Sequence, residues 1–362
     1  MVATRGGPSV EAVASAPPGS GTIVALVPVL DECERLGPTL EGLMAAPETL
    51  VQIVVIDGGS TDGTQALVRG YAARDARIRL VDAAPVGAGW NGKAWNLACG
   101  LAASDPGAAW ILTLDADVRP GRELVPSLLA HATAYRLDAF SAAPLLELSG
   151  ALEAVIHPAF LATLVYRYGL PGTVARDARG VQANGQCFLA RRALLVRTGA
   201  FAAARDSRCD DVTIARHLVR SGARLGFYEG ARLATVRMYD GAADAWANWP
   251  RSLSLRDAAT TTLTLIEDLG VVLLVQALPL AATLVALACG MRRDSLFVRV
   301  NLALALARFG VLAGTRRAYG GVAPTYWLAA LADVPCALRL ARATFTRTHV
   351  WRGRTLVAEG IR

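Results

Sequence analysis

Residues 50–74 read LVQIVVIDGGSTDGTQALVRGYAAR, and the structural period changes within them. Between Leu50 and Ile56 only Gln52 interrupts an apolar run, the pattern of a strand buried on both faces. Asp57 ends that strand, Gly58 and Gly59 allow a tight turn, and Ser60 or Thr61 can cap the helix that follows. A strand, a turn and a helix in that order are the unit of a parallel sheet with helical crossovers.

Working outward, the unit repeats. Upstream, TIVALVPVL (22–30) reads as a strand and DECERLGPTLEGLMAA (31–46) has helix spacing. Downstream come a strand in RIRLVD (77–82), a helix over 93–103, a strand in AWILTLDADV (109–118) and a helix in GRELVPSLLAHATAY (121–135). Residues 150–170 form a further apolar helix, and GVQANGQCFLARRALL (180–195) runs from strand into helix. CDDVTIARHLVRSG (209–222) is a helix opening on two aspartates, with short strands expected near 224–228 and 232–237. The expected fold is α/β, a mostly parallel sheet with helices on both faces. Ligands of such sheets bind beyond the strand C-termini. That places the chemistry at Asp57, the 83–93 loop and the 115–117 segment.

The chain has 362 residues, and its mean hydropathy of +0.37 and net charge of +7 are both unevenly spread along it. Residues 263–362 carry 12 arginines against 5 acidic residues, whereas residues 1–262 carry 25 of each sign. The basic excess thus accompanies the longest apolar runs, which points to an anionic membrane surface and away from nucleic acid. LGVVLLVQALPLAATLVALAC (269–289) is uncharged and long enough to span a bilayer. Two weaker segments follow, one containing Arg299 and Arg308, the other Asp333 and Arg339. They fit spans whose charges are paired or snorkel, or helices lying in the interface. The six cysteines are scattered without a C-x-x-C, so neither a disulfide framework nor a zinc site is indicated, and a reducing compartment is expected. Residues 1–20 lack the apolar stretch of a signal peptide and read as a disordered tail.

Three acidic groups carry chemistry. Asp115 and Asp117, at the end of a predicted strand, alternate and so point the same way, a pair suited to a hard divalent cation that also holds a diphosphate. Asp57 can accept hydrogen bonds from a base or ribose. Asp210 and Asp211 open a helix, where capping favours one carboxylate; the second is free to serve as a general base.

These pieces resemble glycosyltransferase family 2, of the nucleotide-diphospho-sugar (GT-A) fold. The resemblance rests on VPVLDE, in which Pro28 and Glu32 give P-x-x-x-E, on VVIDGGSTDGT, on LDAD (114–117) and on CDD (209–211), over about residues 22–230. It implies an inverting transfer of a sugar from a nucleotide-diphosphate donor, expected to be a UDP-sugar. Pro28 and Glu32 would lie at the donor, Asp57 would bind its base, Asp115 the nucleotide, and Asp117 with Asp115 a Mg²⁺ or Mn²⁺ ion. Asp211 would be the general base, with Asp210 standing where the family usually has glutamate.

Membrane members often carry Q-x-x-R-W; here NWPRS keeps only Arg251, which is expected to contact a phosphate of the donor, while Trp249 beside it is expected to wall the acceptor pocket. That departure argues against a processive polysaccharide synthase. The loop GWNGKAW, three C-terminal apolar segments and WRGR (351–354) look like the carotenoid and hopanoid-associated branch, implying a polyisoprenoid hydroxyl or carboxyl acceptor. A polyprenyl-phosphate sugar synthase is the alternative. The expected organisation is a tail (1–20), a GT-A catalytic domain (21–240), an interfacial segment (241–262), membrane helices (263–345) and a basic tail (346–362). The expected location is the cytoplasmic membrane, with the catalytic domain in the cytosol.

GAGWNGKAW (87–95) also satisfies G-x-G-x-x-G and G-x-x-x-x-G-K. Neither match fits its context. A dinucleotide loop follows the first strand of its unit, and a P-loop needs Ser or Thr where Ala94 stands. The loop's position instead suggests that Gly92 and Lys93, the only lysine in the chain, lie near the donor, and that Trp90 walls the donor or acceptor pocket.

Overall fold

A computed structural model describes residues 9–207, 209–230, 232–253, 255, 260–346, 348–351 and 354–357. The chain divides into two compact units, one built mainly from Gly7–Leu145 and Pro171–Val236, the other from Leu146–Leu170 and Arg237–His349. In chain order the elements are β1 (Ile23–Val29), α1 (Leu36–Met44), β2 (Leu50–Asp57), α2 (Thr64–Ala72), β3 (Ile78–Asp82), α3 (Gly92–Ala103), β4 (Trp110–Leu114), β5 (Val118–Pro120), α4 (Leu124–Ala134), β6 (Ala139–Ala143) and β7 (Leu145–Leu146). Then follow α5 (Glu153–Tyr168), β8 (Thr173–Val174), β9 (Cys187–Arg191), α6 (Arg192–Thr198), α7 (Asp210–Arg220), β10 (Leu225–Glu229), β11 (Ala234–Val236), α8 (Ala242–Ser252), α9 (Thr262–Gly270), α10 (Leu278–Ala288), α11 (Leu296–Thr315), α12 (Asp333–Phe345), β12 (Thr348–Trp351) and β13 (Arg354–Val357).

The first unit is the expected α/β fold, GT-A-like, with a mostly parallel central sheet. Eight strands run in the order β3-β2-β1-β4-β9-β6-β10-β8. Only β9 and β8 run against their neighbours. The near-continuous apolar runs of β1, β2 and β4 reflect burial on both faces: Ala25 and Val27 are as fully enclosed as Val24 and Leu26. Each such side chain contributes about 1.5–3 kcal/mol relative to exposure. On one face Val24, Leu26, Val54 and Ile56 pack with Ala94 and Leu97 of α3. Gly100 closes that contact, since a Cβ there would lie 2.7 Å from Ile56 Cδ1. The register sets Val29 beside Asp57 and Asp57 beside Asp82, so three parallel strands end together. Because β9 is antiparallel, its first residue Cys187 faces Leu114, the last of β4.

Three details differ from the sequence reading. Asp115 and Asp117 do not extend β4; they lie in the turn between β4 and β5, so turn geometry rather than strand alternation brings them together. Gly63, not Ser60 or Thr61, occupies the N-cap of α2, and Asp62 accepts from the N–H of Thr64. Residues 9–20 have no regular structure but are tied to the first unit: Val10 donates to the Glu229 carbonyl and Val13 to Ser127 Oγ. Residues 1–8 lie outside the described residues.

The second unit gathers α5, α8 and the C-terminal helices around Phe160, Trp249, Leu265, Val272, Cys336 and Leu340. Helix α5, expected within the 21–240 domain, belongs here, because its apolar face packs with these helices. Two helices are long and apolar enough to cross a membrane: Thr262–Ala288, with hydropathy 2.4 over its most apolar window, and Leu296–Ala318, at 1.8. The first opens on a Thr261–Thr264 capping box and includes a π-helical turn, Val271–Ala277.

Candidate active site

The loops after β1 and β2 interlock at the sheet edge. Asp57 is buried, and its carboxylate accepts from the N–H groups of Gly59 and Ser60, from Ser60 Oγ at 2.5 Å and from Gln65 Nε2 at 2.7 Å. The expectation of a base contact thus meets a carboxylate already engaged by its own loop. Ser60 Oγ accepts from Asp31 N–H, Thr64 Oγ1 from Glu32 N–H, and Asp62 from Cys33 N–H, each at 2.9 Å. From α3, Asn96 Nδ2 reaches the Ile56 carbonyl at 3.2 Å. Gly58 allows that approach, because a Cβ there would lie 3.0 Å from Asn96 Nδ2. Pro28 pairs with Ile56 inside the sheet, and Glu32 forms an ion pair with Arg35 at 3.2 Å.

The 83–93 loop delivers Lys93. Asn91 caps α3 by accepting from Ala94 N–H, while its Nδ2 donates to the carbonyls of Ala204 and Ser207. Trp95 Nε1 donates to the Ala83 carbonyl, and Trp90 stands edge-on to Trp95 with ring centroids 5.3 Å apart. Gly92 is the first residue of α3, and Lys93 the second. From there Lys93 Nζ reaches Asp115 Oδ1 at 2.6 Å, and a Cβ on Gly185 would lie 2.8 Å from the same nitrogen.

The remaining acids arrive from α7. Asp211 accepts from Gly185 N–H at 2.9 Å and from Val212 N–H at 2.8 Å. The loop that carries Gly185 is braced in turn: Asn184 Nδ2 donates to Gln186 Oε1, and the Gln186 carbonyl accepts from Asp115 N–H. The structure therefore brings Lys93, Asp115, Asp210 and Asp211 into one electrostatic cluster, with Asp117 beside Asp115. The lysine and Asp115 keep 24% and 29% of their side-chain surface open, so the cluster is not sealed in a core.

Charge in the cluster is unbalanced. Burial alone would lower the Lys93 ammonium, but the charges of Asp115, Asp210 and Asp211 outweigh it and hold it above its usual range. Burial, reinforced by Asp210, pushes the Asp211 carboxyl up to about 6, against the pull of Lys93 and of two backbone N–H groups. Burial, with the charges of Asp115 and Glu32, pushes Asp117 up to about 7, opposed by Arg35. Burial also raises Asp115, against Lys93. An excess of carboxylate that resists ionisation is a setting that a divalent cation relieves. Among the described residues no group of three or more His, Cys, Asp or Glu has metal-ligand geometry. The donor set that fits is therefore one or two carboxylates, Asp117 and Asp115, completed by phosphate oxygens and water, as hard cations accept.

Two expected residues belong to the second unit. Trp249 is a core residue of the second unit, buried, its ring 3.8 Å from that of His157. Arg251 lies in α8 of the same unit; its side chain falls outside the described residues. Sequence reasoning missed Asn184, Gly185, Gln186 and Arg35. The signal available for the first three was N-G-Q immediately before a strand, a turn at the sheet's ligand edge.

Residues 24–195 match the family model described as Glycosyl transferase family 2. They form a glycosyltransferase family 2 domain. The match ends before Asp210 and Asp211, whose place in the site rests on the geometry above. The lipopolysaccharide core biosynthesis glycosyltransferase LpsC of Rhizobium meliloti (strain 1021) is 37% identical over 110 residues, 29% of this chain and 36% of that protein. The similarity thus spans about a third of the relative's length. Among solved structures, the mannosyltransferase PcManGT from Pyrobaculum calidifontis, in complex with GDP-Man and Mn²⁺, has a TM-score of 0.51 at 19% identity and covers 89% of either chain. That likeness is one of fold. The family 2 domain carries the sheet edge at which Lys93, Asp115, Asp117 and Gly185 lie.

Proposed function

We propose that the chain is an inverting glycosyltransferase that moves a sugar from a nucleotide-diphosphate donor to a lipid acceptor. The observation that carries this reading is the meeting of Lys93, Asp115, Asp117 and Asp211 in one partly exposed cluster beside a family 2 sheet edge. Asp117, with Asp115, would hold the metal, Mg²⁺ or Mn²⁺, and the ion would supply positive charge to the diphosphate leaving group. Lys93, already the counter-charge of Asp115, adds a second cation for the donor. Gly185 N–H and Val212 N–H each hold one oxygen of Asp211, and the carboxylate so fixed would take the proton of an attacking hydroxyl through a remaining lone pair. One displacement with a base and no covalent intermediate inverts the anomeric carbon.

The lipid acceptor and a membrane location are supported by the surface of the second unit. Nineteen of the twenty-two exposed large apolar side chains among the described residues fall between Leu263 and Phe345. A hydroxyl or carboxyl on a polyisoprenoid, carotenoid- or hopanoid-like, fits such a surface, with the catalytic domain on the cytosolic side where nucleotide sugars are made. A lipopolysaccharide core relative and a GDP-Man-bound neighbour leave both UDP- and GDP-sugars to be tried. A polyprenyl-phosphate acceptor is the second reading, favoured by the same apolar surface.

The test is transfer of labelled sugar from UDP-glucose or GDP-mannose into a membrane lipid extract, with Mn²⁺, Mg²⁺ or EDTA. A labelled neutral lipid that forms only with metal is expected. A labelled lipid phosphate would support the second reading, and label confined to water-soluble product would remove the lipid acceptor.

A further inference from the structure

Three polar side chains meet where the apolar helices of the second unit pack. Arg308 donates from Nε to Asp333 Oδ2 at 2.7 Å and from Nη2 to Oδ1 at 2.9 Å. Gln276 Nε2 donates to Asp333 Oδ1 at 3.2 Å and to the Ala159 carbonyl at 3.0 Å. All three residues are 2% exposed or less. Their positions along the helices coincide. Gln276 is fifteenth of the 27 residues in Thr262–Ala288 and Arg308 thirteenth of the 23 in Leu296–Ala318, each one past the centre. Asp333, bonded to both, therefore sits level with both midpoints.

The ends of its own segment, Pro324–Phe345, sit elsewhere. Near its start, Tyr326 Oη donates to the Leu312 carbonyl and lies 3.1 Å from Thr315 Oγ1, close to the end of the second long helix. Near its finish, Thr344 Oγ1 accepts from Leu255 N–H, a few residues before the first long helix begins, and Arg339 donates to the Ala247 carbonyl. The segment starts beside the end of one helix, reaches mid-helix at Asp333, and returns beside the start of the other. The two long helices are joined at their opposite ends by residues 289–295.

We propose that Pro324–Phe345 is a re-entrant membrane element, entering and leaving the bilayer on one face with Asp333 at its deepest point. Its partner is the hydrocarbon of the lipid bilayer, and the proposal rests on the membrane reading above. The charge at depth is neutralised by the bidentate Arg308, and Gln276 fills a further acceptor site, as an ionisable group inside a membrane requires. The π-helical turn that contains Gln276 turns it toward this pair and away from lipid. At mid-depth the backbone passes from 3-10 helix (Pro324–Ala332) to α-helix (Asp333–Phe345), an irregularity tolerated where protein covers it, and Phe160, Val272 and Leu340 provide that cover. The outer face offers Trp327, Leu328, Leu331, Leu338 and Phe345 to lipid. Arg339 and Arg342 follow Asp333 by six and nine residues, about 9 and 14 Å along α12, within reach of the interface. The chain then crosses the bilayer twice, and the segment ends on the side where it began.

The experiment reconstitutes the full chain in phosphatidylcholine–phosphatidylglycerol vesicles, with an environment-sensitive fluorophore on Leu331→Cys and the native cysteines replaced. Flotation reports membrane binding, and lipids carrying a nitroxide near the headgroup or near mid-chain report depth. The protein is expected to float, with the label quenched best from mid-chain and untouched by aqueous iodide. In right-side-out and inverted membrane vesicles, an impermeant maleimide should reach Gly290→Cys and Thr346→Cys from opposite sides. A floating protein with a shallow or iodide-quenched label, or with both cysteines on one side, overturns the re-entrant element alone. A protein that does not float overturns the membrane reading itself. Should the cysteine-free background misfold, hydrogen–deuterium exchange of the wild type in nanodiscs reads the same depth. Slow exchange at Leu328–Arg339 supports the proposal, and exchange as fast as in a surface helix overturns it.

Discussion

Each unit of this molecule holds a cation against a carboxylate at short range, and the two pairs have opposite characters. Lys93 and Asp115 lie 2.6 Å apart in a partly exposed cluster, among further aspartates that one lysine cannot neutralise. Arg308 and Asp333 lie 2.7 Å apart, sealed at 1% exposure, one charge against one. A surplus of like charge, partly open to solvent, costs the fold something and leaves work for a ligand. A balanced and closed pair is shut off from solvent and ties helices together. Exposure and charge balance therefore separate the two roles more sharply than distance does.

That contrast can be broken first at Asp211. Asp211→Asn should lower kcat by about 10²–10⁴, with donor affinity near normal by calorimetry; turnover within tenfold of wild type would remove Asp211 from the base role. The wild-type rate should show the same group through pH. A base must be ionised to accept a proton, and Asp211 is pushed up to about 6, so kcat should climb as pH rises through about 6 and level off above it. At the closed pair the expected effect is on stability. Arg308→Met leaves a carboxylate buried alone, at a cost of about 3–5 kcal/mol, whereas Arg308→Met with Asp333→Leu should recover most of it. Thermal unfolding in detergent decides: equal losses in the single and double variants would show that the pair does more than neutralise itself. The smallest effect is expected at Lys93→Ala, which should raise donor KM roughly tenfold. A lowered kcat at constant KM would instead place Lys93 with the reacting atoms.

Much of the fold was legible along the chain. Parallel strands buried on both faces must be apolar throughout, so β1, β2 and β4 announce themselves as runs, and the aspartates and glycines that follow mark the ligand edge. Less was legible of the site. Nothing in residues 115–117 distinguishes a strand end from the turn observed. The Lys93–Asp115 contact joins two loops, and Gly185, whose N–H orients Asp211, belongs to a third. An apolar helix such as α5 does not state which partner it will cover, and it joined the C-terminal helices. Trp249 looked like a pocket wall beside Arg251, but it stacks on His157 in a core.

By itself the sequence determined the order of the elements, the family 2 domain, the edge of the sheet where ligands go, and the apolar length of two C-terminal helices. Those are local properties, set by period, turn chemistry and hydropathy over a few tens of residues. Only the tertiary structure decided which charges meet: Lys93 with Asp115, Asp211 with Gly185, Arg308 with Asp333. Those contacts join residues 22 to 26 positions apart, brought together by packing, and packing depends on the whole chain at once.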